Sequence, residues 1–183
     1  MNKQALARFL CAPISVVCLQ HAAIAEDNNK KFQLNLDAEY LIAGNYSVSY
    51  DALAGASLQY FLHQSGRWNH FVRGGFKQNI VDANSSGGST INIYSLDIGS
   101  RYQFASLWNK NLYGEFSLGA AHSREEFSNQ LIDRTTKDTF SETNIKAGLG
   151  LGMEFTRNLD GQLYLSQLGS KSSAAGFSLS YKF

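Results

Sequence analysis

The sequence predicts an all-β fold, an eight-stranded antiparallel transmembrane β-barrel with up-and-down connectivity. Three observations lead to this expectation. Apolar and polar residues alternate with period two in eight segments of roughly ten residues, the length that a tilted strand needs to cross a bilayer. The only proline and both cysteines lie before residue 26, so no proline interrupts a later strand ladder. No later apolar run is long enough for a membrane-spanning helix, so any span must be made of strands.

The first 25 residues are interpreted as a secretory signal peptide, and residues 26–183 as the barrel domain. Lys3 and Arg8 precede a short apolar run, which is followed by a small-x-small cleavage site that ends at Ala25. The run is too short to span a bilayer as a helix. Cys18 leaves a lipoprotein signal as the alternative, although the residue before it is not small.

The first four alternating segments lie before residue 105. The first, FQLNLDAEY, places Phe32 and Leu34 on one face and Gln33 and Asn35 on the other. The second, ALAGASLQYFL, is looser, the third, HFVRGGFKQ, is the weakest, and the fourth, YSLDIGSRYQF, is clear. These segments cover residues 32–40, 52–62, 70–78 and 94–104.

The other four segments complete an even number of strands. The fifth is LYGEFSLGAA and the seventh is GQLYLSQL. The sixth, NIKAGLGLGMEF, carries glycine at the alternate positions 148, 150 and 152. The eighth, AAGFSLSYKF, keeps its alternation to Phe183, so we expect it to pair with the first strand and close the barrel. These segments cover residues 112–121, 144–155, 161–168 and 174–183.

Composition excludes several classes of protein. Loss of Lys3 and Arg8 with the signal peptide changes the formal net charge from +1 to −1, so no basic field exists to attract nucleic acid. Without cysteine, the mature chain forms no disulfide and no cysteine-based metal site. No phosphate-binding loop, metal-ligand spacing or nucleophile elbow is present, and we expect no cofactor.

The connections between segments differ in length. Short ones are expected on one side and mostly longer ones on the other, which is the asymmetry of an outer-membrane barrel with both termini in the periplasm. The connections on the short-turn side are residues 63–69, 105–111 and 156–160. On the other side, residues 41–50, 79–92 and 123–141 form long connections, and residues 169–173 form a short one.

The polar face of the segments predicts the lumen rather than a water-exposed surface. It is rich in glycine and serine, which fit the crowded interior of a small barrel. Its charges have both signs and can pair with one another. A secreted soluble β-barrel, with the apolar face inside, is the alternative. The predicted lumen charge network consists of Asp37, Glu39, Arg73, Lys77, Asp97, Arg101, Glu115, Lys146, Glu154 and Lys182.

Two segments resemble small eight-stranded outer-membrane β-barrels, the class that includes OmpX/Ail-like proteins, the OmpA transmembrane domain and other porin-family proteins. They are AGLGLGMEFTRNLDGQLYL, from Ala147 to Leu165, and the terminal FSLSYKF. The resemblance implies a protein of the Gram-negative cell outer membrane, in contact with lipid and lipopolysaccharide and inserted by the barrel assembly machinery. It also implies that the last strand carries the assembly signal, made of Phe177, Leu179, Tyr181 and Phe183.

His122 is the one residue that raises the question of catalysis. Some eight-stranded barrels are lipid A deacylases or acyltransferases that use serine, histidine and an acidic residue, and His122 is followed by Ser123 and two glutamates. Adjacent strand residues point to opposite faces, so His122 and Ser123 would not converge. We therefore expect no enzymatic activity and no catalytic residue.

The expected function is structural or a surface interaction, in envelope integrity or adhesion, through exposed loops at residues 79–92 and 123–141. A host or surface ligand would be the partner, and the protein would be a monomer. A narrow small-solute channel is the alternative, because charges line the lumen. A lipid A-modifying enzyme is the less favoured one.

Overall fold

The computed structural model describes residues 31–44, 52–79, 89–131, 134–170 and 172–183. The predicted signal peptide, residues 1–25, lies outside the described residues. The described residues contain no helix long and apolar enough to cross a membrane.

Eight antiparallel strands form a closed ring in sequence order, which confirms the predicted fold class. Each strand pairs with its neighbours in the chain, and the eighth pairs with the first. The strands are β1 (Phe32–Gly44), β2 (Ala52–Ser65), β3 (Trp68–Asn79), β4 (Ser89–Leu107), β5 (Lys110–Leu131), β6 (Arg134–Glu154), β7 (Leu159–Leu168) and β8 (Ser172–Lys182).

The seam between β1 and β8 extends to the last residue of the chain. The pairing runs from Gln33 opposite Lys182 to Gly44 opposite Ser172. At its end, the backbone N–H of Phe183 donates to the carbonyl of Phe32 at 2.9 Å, and the two rings stack at 6.0 Å. The alternation up to Phe183 therefore reflects strand pairing, which leaves no open edge at the carboxyl terminus.

The apolar faces of the strands point outward and the polar faces point into the lumen. Leu96 and Ile98 are each 62% exposed on the outer surface, whereas Asp97 between them is buried. Such a distribution inverts that of a soluble barrel, because the outer surface is apolar and the interior is polar.

The ends of the barrel differ. The short-turn end carries the connections at residues 66–67, 108–109 and 155–158, and the long-loop end is the opposite one. Gly66, Trp108 and Asn109 have positive φ angles of 60°, 50° and 60°. Two consecutive left-handed residues suit a two-residue hairpin turn, although tryptophan rarely adopts this conformation.

The prediction of a loop over residues 123–141 was wrong. β5 continues to Leu131 and β6 begins at Arg134, so most of this region is a ladder between these two strands, and β4 also pairs with β5 as far as Phe127. Its strict alternation is lost because neither face of the ladder has to meet lipid there. The predicted loops at 79–92 and 41–50 are likewise shortened, since β4 begins at Ser89 and β1 ends at Gly44.

Candidate functional site

A chain of ion pairs with alternating charge crosses the lumen, and we call it the charge chain. Each internal member contacts opposite charges on both sides, and the N–O distances lie between 2.5 and 3.5 Å. The side chain of Arg101 is only 2% exposed, so these charges are held by one another rather than by bulk water. In order, the charge chain is Lys146, Asp97, Arg73, Glu115, Arg101, Asp160, Lys182 and Glu154.

Aromatic rings support the arginines of the charge chain. The Arg101 guanidinium lies 3.9 Å from the centre of the Tyr113 ring and 5.5 Å from that of Phe61. Arg73 lies 5.2 Å from the centre of the Phe71 ring. A planar guanidinium group packs favourably on the face of an aromatic ring, while its N–H groups bind carboxylates in the plane of the guanidinium itself.

Glycines on the neighbouring strands make room for these rings. Phe71 is paired with Gly99 across the sheet, and Tyr113 is paired with Gly152. A Cβ atom on Gly99 would lie 2.4 Å from the Phe71 ring, and one on Gly152 would lie 2.3 Å from that of Tyr113. The glycines of the lumen face therefore provide the space that the large aromatic side chains of the neighbouring strands occupy.

A separate ion pair lies nearer the long-loop end. Lys77 bonds to Glu39 and also donates to the Tyr164 hydroxyl at 3.1 Å. Ser166 donates to the same Glu39 oxygen at 3.1 Å. Both charges of this pair thus have a second polar contact, although neither joins the charge chain.

Of the ten predicted lumen charges, all except Asp37 take part in ion pairs within the described residues. Asp37 instead accepts a hydrogen bond from Ser57 at 3.1 Å, and Ser57 accepts one from Asn35 at 3.0 Å. Asp160 was missed because it was assigned to a connection, although it is the second residue of β7 and is fully buried. Its alternation with Gln162 and Tyr164 was the signal that could have placed it in the lumen.

An apolar collar lies in the lumen at the long-loop end. It occupies lumen-facing positions that are polar elsewhere in the barrel, and sequence reasoning did not single it out. A cavity of about 40 Å³ separates it from Lys77 and Lys146, and a second of about 30 Å³ lies beside Asp37. Each has room for only a few water molecules. The collar consists of Leu53, Ile91, Ile93 and Ala121, with Leu168 packed against them.

His122 and Ser123 do not form a catalytic pair. His122 is exposed on the outer face, where its Nδ1 lies 2.9 Å from the Thr143 hydroxyl. Ser123 is buried on the lumen side and donates to the carbonyl of Glu142 at 3.3 Å. In the part of the chain that the structure describes, no three His, Cys, Asp or Glu residues gather to hold a metal ion.

β5 and β6 project beyond the other strands at the long-loop end. β7 pairs with β6 only as far as Lys146, and the last bond on that side runs from the Gly169 N–H to the Ile145 carbonyl at 2.7 Å. From Asp138 to Asn144, no strand among the described residues pairs with this side of β6. Backbone groups alternate in direction, so Thr139, Ser141 and Thr143 direct theirs to this edge.

Three residues of the predicted assembly signal lie on the outer face of β8, and the fourth, Phe183, follows the end of that strand. Phe177 and Leu179 are 44% and 38% exposed, and Tyr181 is half-buried and accepts a long hydrogen bond from Asn158 at 3.4 Å. Their outward position is compatible with contact to another protein, and the assembly role stays a prediction.

Comparisons with known proteins identify relatives of the whole domain. Residues 9–183 match the family model described as "Outer membrane protein beta-barrel domain". The N-terminal β-barrel domain of OprF from Pseudomonas aeruginosa is 20% identical with a TM-score of 0.60, over 85% of this chain and 98% of that chain. The comparison with curated proteins finds no match.

The attachment invasion locus protein Ail of Yersinia pestis has a similar fold. One structure is 17% identical with a TM-score of 0.60, over 84% of this chain and 97% of that chain. Another, in complex with the heparin analogue sucrose octasulfate, is 19% identical with a TM-score of 0.55, over 84% of this chain and 97% of that chain. These identities establish likeness of fold.

Proposed function

The chain belongs to the family of outer membrane protein β-barrel domains, and on this premise we propose that it is a closed barrel that acts at the cell surface. Its strands lie in the outer membrane with their apolar face in lipid. Short turns of such barrels face the periplasm, so the β5–β6 hairpin projects from the cell. A Gram-negative host, export by the signal peptide, insertion by the assembly machinery and a monomeric state belong to the same proposal.

The observation that carries this proposal is a filled lumen beneath a projecting hairpin. The charge chain joins side chains from β3, β4, β5, β6, β7 and β8, and the apolar collar lies above it. A solute would have to break several buried ion pairs to pass. The hairpin is the part of the described protein that extends furthest from the barrel, and surface loops and extensions commonly carry binding.

The edge of β6 gives this surface a specific means of contact. Thr139, Ser141 and Thr143 direct N–H and C=O groups away from β5, and an extended segment of a partner could bind them as an added strand. Native edge strands are commonly protected by lysine, proline or a bulge. Residues 138–144 contain neither lysine nor proline, and the β5–β6 register is continuous.

The charge of the hairpin favours a protein ligand over a polyanion. Residues 124–142 contain more acidic than basic residues, and Arg124 is paired with Glu126 at 3.0 Å. Ail, a barrel of the same fold, has a structure in complex with a heparin analogue. For this chain we propose a protein of a host or neighbouring surface as the ligand, because an acidic hairpin repels sulfated sugars.

Adhesion assays on cells that carry edge variants test the proposal. Ser141→Pro removes the N–H on the side of β6 with which no described strand pairs, and it leaves the β5 ladder intact, whereas Ser141→Ala keeps that N–H and serves as the control. Replacing residues 124–141 by a two-residue turn should abolish adhesion to cultured cells and matrix proteins. Each variant must retain heat-modifiable migration on a detergent gel. Adhesion that survives removal of the hairpin would overturn the surface function.

A narrow channel is the second candidate, favoured by the charged lumen and its two small cavities. We expect no stepwise single-channel current from the protein in planar bilayers, because paired charges leave no continuous water path. Regular current steps that disappear on heat denaturation would support the channel instead.

The proposal excludes lipid A modification. His122 and Ser123 lie on opposite sides of β5, which supports this exclusion. Mass spectra of lipid A from cells with and without the gene should be identical. A mass change that requires His122 would overturn this part of the proposal.

A further inference from the structure

An apolar groove lies on the outer surface of the barrel near the short-turn end. It is a largely open depression whose lining is almost entirely apolar. Trp68, Tyr102, Phe116 and Leu151 contribute to its walls, and Gly114 is among the residues that line it. The groove belongs to the lipid-facing surface, which the family assignment places inside the membrane.

Gly114 creates the groove because its neighbours are large. Across the sheet it pairs with Tyr102 on one side and Leu151 on the other. A Cβ atom on Gly114 would meet only Leu151 Cδ2, at 4.0 Å. The position could therefore hold a side chain without a clash, and glycine leaves an open hollow between an aromatic and an aliphatic wall.

A polar corner adjoins the groove. His70 Nδ1 lies 2.8 Å from the Ser100 hydroxyl, on a face where the other residues are mainly apolar. The imidazole stacks against Trp68 at 6.4 Å with an interplanar angle of 7°, and the Trp68 and Tyr102 rings lie 4.6 Å apart. Because Nδ1 bonds to Ser100, the second ring nitrogen, Nε2, is not engaged in that hydrogen bond.

The charges around this corner favour an anion. Arg67 immediately precedes Trp68 and is exposed in the turn. β3 contains no acidic residue, and Asp97, the acidic residue of β4, points into the lumen. An anion at this corner would thus meet the imidazole and no carboxylate of these two strands on the same face, with the exposed Arg67 close by in the chain.

We propose that this groove binds an anionic phospholipid of the periplasmic leaflet. One acyl chain lies in the hollow over Gly114, and the headgroup phosphate is held at the corner formed by Arg67 and His70. The groove continues the lipid-facing surface of the barrel, so lipid is the molecule that already covers it. A second copy of the chain is the other occupant that the experiment distinguishes.

Lipid retention by the folded full chain in detergent micelles tests the proposal. Native mass spectrometry measures how much phosphatidylglycerol and phosphatidylcholine stay bound. Gly114→Leu fills the hollow and should weaken phosphatidylglycerol retention roughly tenfold, as expected for loss of a few buried methylene contacts. Gly74→Leu is the matched control, because Gly74 also has open space around its Cβ position but does not line the groove.

Fluorescence gives a second readout that does not depend on Gly114. The chain has two tryptophans, so Trp108→Phe leaves Trp68 as the only emitter. In vesicles, brominated phosphatidylglycerol should quench Trp68 more strongly than brominated phosphatidylcholine at equal mole fraction. His70→Phe keeps a ring beside Trp68 and should remove this difference between the headgroups.

Three results would overturn the inference. They are equal retention by the Gly114→Leu and Gly74→Leu variants, equal quenching by the two brominated lipids, and a dimer that Gly114→Leu dissociates. Heat-modifiable migration is checked first for each variant, and His70→Phe decides the question if Gly114→Leu does not fold.

Discussion

The two halves of the lumen are filled by opposite chemistries. Towards the short-turn end the charge chain fills the space, and Arg101 alone contacts Glu115, Asp160, Gln33 and the Tyr113 ring. Towards the long-loop end the apolar collar takes over, with the single ion pair Glu39–Lys77 beside it. Both fillings leave only small cavities, of about 30 and 40 Å³, and we expect them to respond differently to substitution.

The charge chain and the collar should differ in how the stability losses of separate substitutions add up. Members of the charge chain depend on one another, because removal of one charge leaves its partners buried without compensation. Collar residues contribute mainly through packing, so their losses should be smaller and more nearly additive. Substitutions in each half can therefore test whether this contrast is real.

The largest effect is expected at Arg101. Arg101→Ala leaves Glu115 and Asp160 without a shared cation and should lower the free energy of unfolding by about 4 kcal/mol. Urea unfolding in detergent micelles, followed by tryptophan fluorescence, measures this change. Arg101→Lys keeps the charge without the planar fork and should lie between the variant and the wild type. A stability equal to that of the wild type would show that the charge chain is dispensable.

A smaller effect is expected at the ion pair beside the collar. Lys77→Met leaves Glu39 buried without its cation and should cost about 3 kcal/mol. The double variant with Glu39→Met replaces both charges next to apolar residues and should be close to the wild type in the same assay. A double variant that is less stable than the single one would mean that this pair behaves like the charge chain.

The packing of rings on glycines should give the next effect. Gly152→Ala places a methyl group where the Tyr113 ring lies, and we expect a loss of about 2 kcal/mol. The ring would have to leave its position over Arg101, and the midpoint of urea unfolding measures the cost. Gly74→Ala, which faces outward into open space, should change the midpoint little. Equal effects at both positions would contradict the fit between ring and glycine.

The smallest effect is expected in the collar. Ile93→Val removes one methylene from a buried side chain and should cost about 1 kcal/mol. Combined with Arg101→Ala, its cost should add to within a few tenths of a kcal/mol, because Arg101 lies further along β4 and does not line the cavity beside the collar. Strong coupling between them would join the collar and the charge chain into one unit.

Much of the site could be predicted from alternation. The alternation of the strands assigned Arg73, Asp97 and Glu115 to the lumen, and the structure places all three there. It did not indicate that Asp160 belongs with them, because a two-residue difference in the end of a turn changed its assignment. Nor did it distinguish the collar, since Leu53 and Ile93 break the polar pattern of the lumen face without breaking the period.

The extent of the strands at the long-loop end was the least predictable part of the fold. Residues 123–141 lack apolar alternation, and the sequence therefore suggested a loop. Backbone hydrogen bonds between β5 and β6 extend the ladder there, and they depend on continuous register rather than on side-chain type. A polar hairpin and a polar loop look alike in sequence because water accepts both faces of either one.

The sequence by itself determined the number of strands, the closed ring and the side of the wall on which most residues lie, because a period of two is imposed by the geometry of every strand. Only the tertiary structure decided which charges meet, since register and barrel closure bring Arg101 to Asp160 across 59 positions of the chain. It also decided that Gly114 leaves a hollow and Gly152 holds a ring. Glycine has no side chain to mark its environment, and that environment is supplied by neighbouring strands.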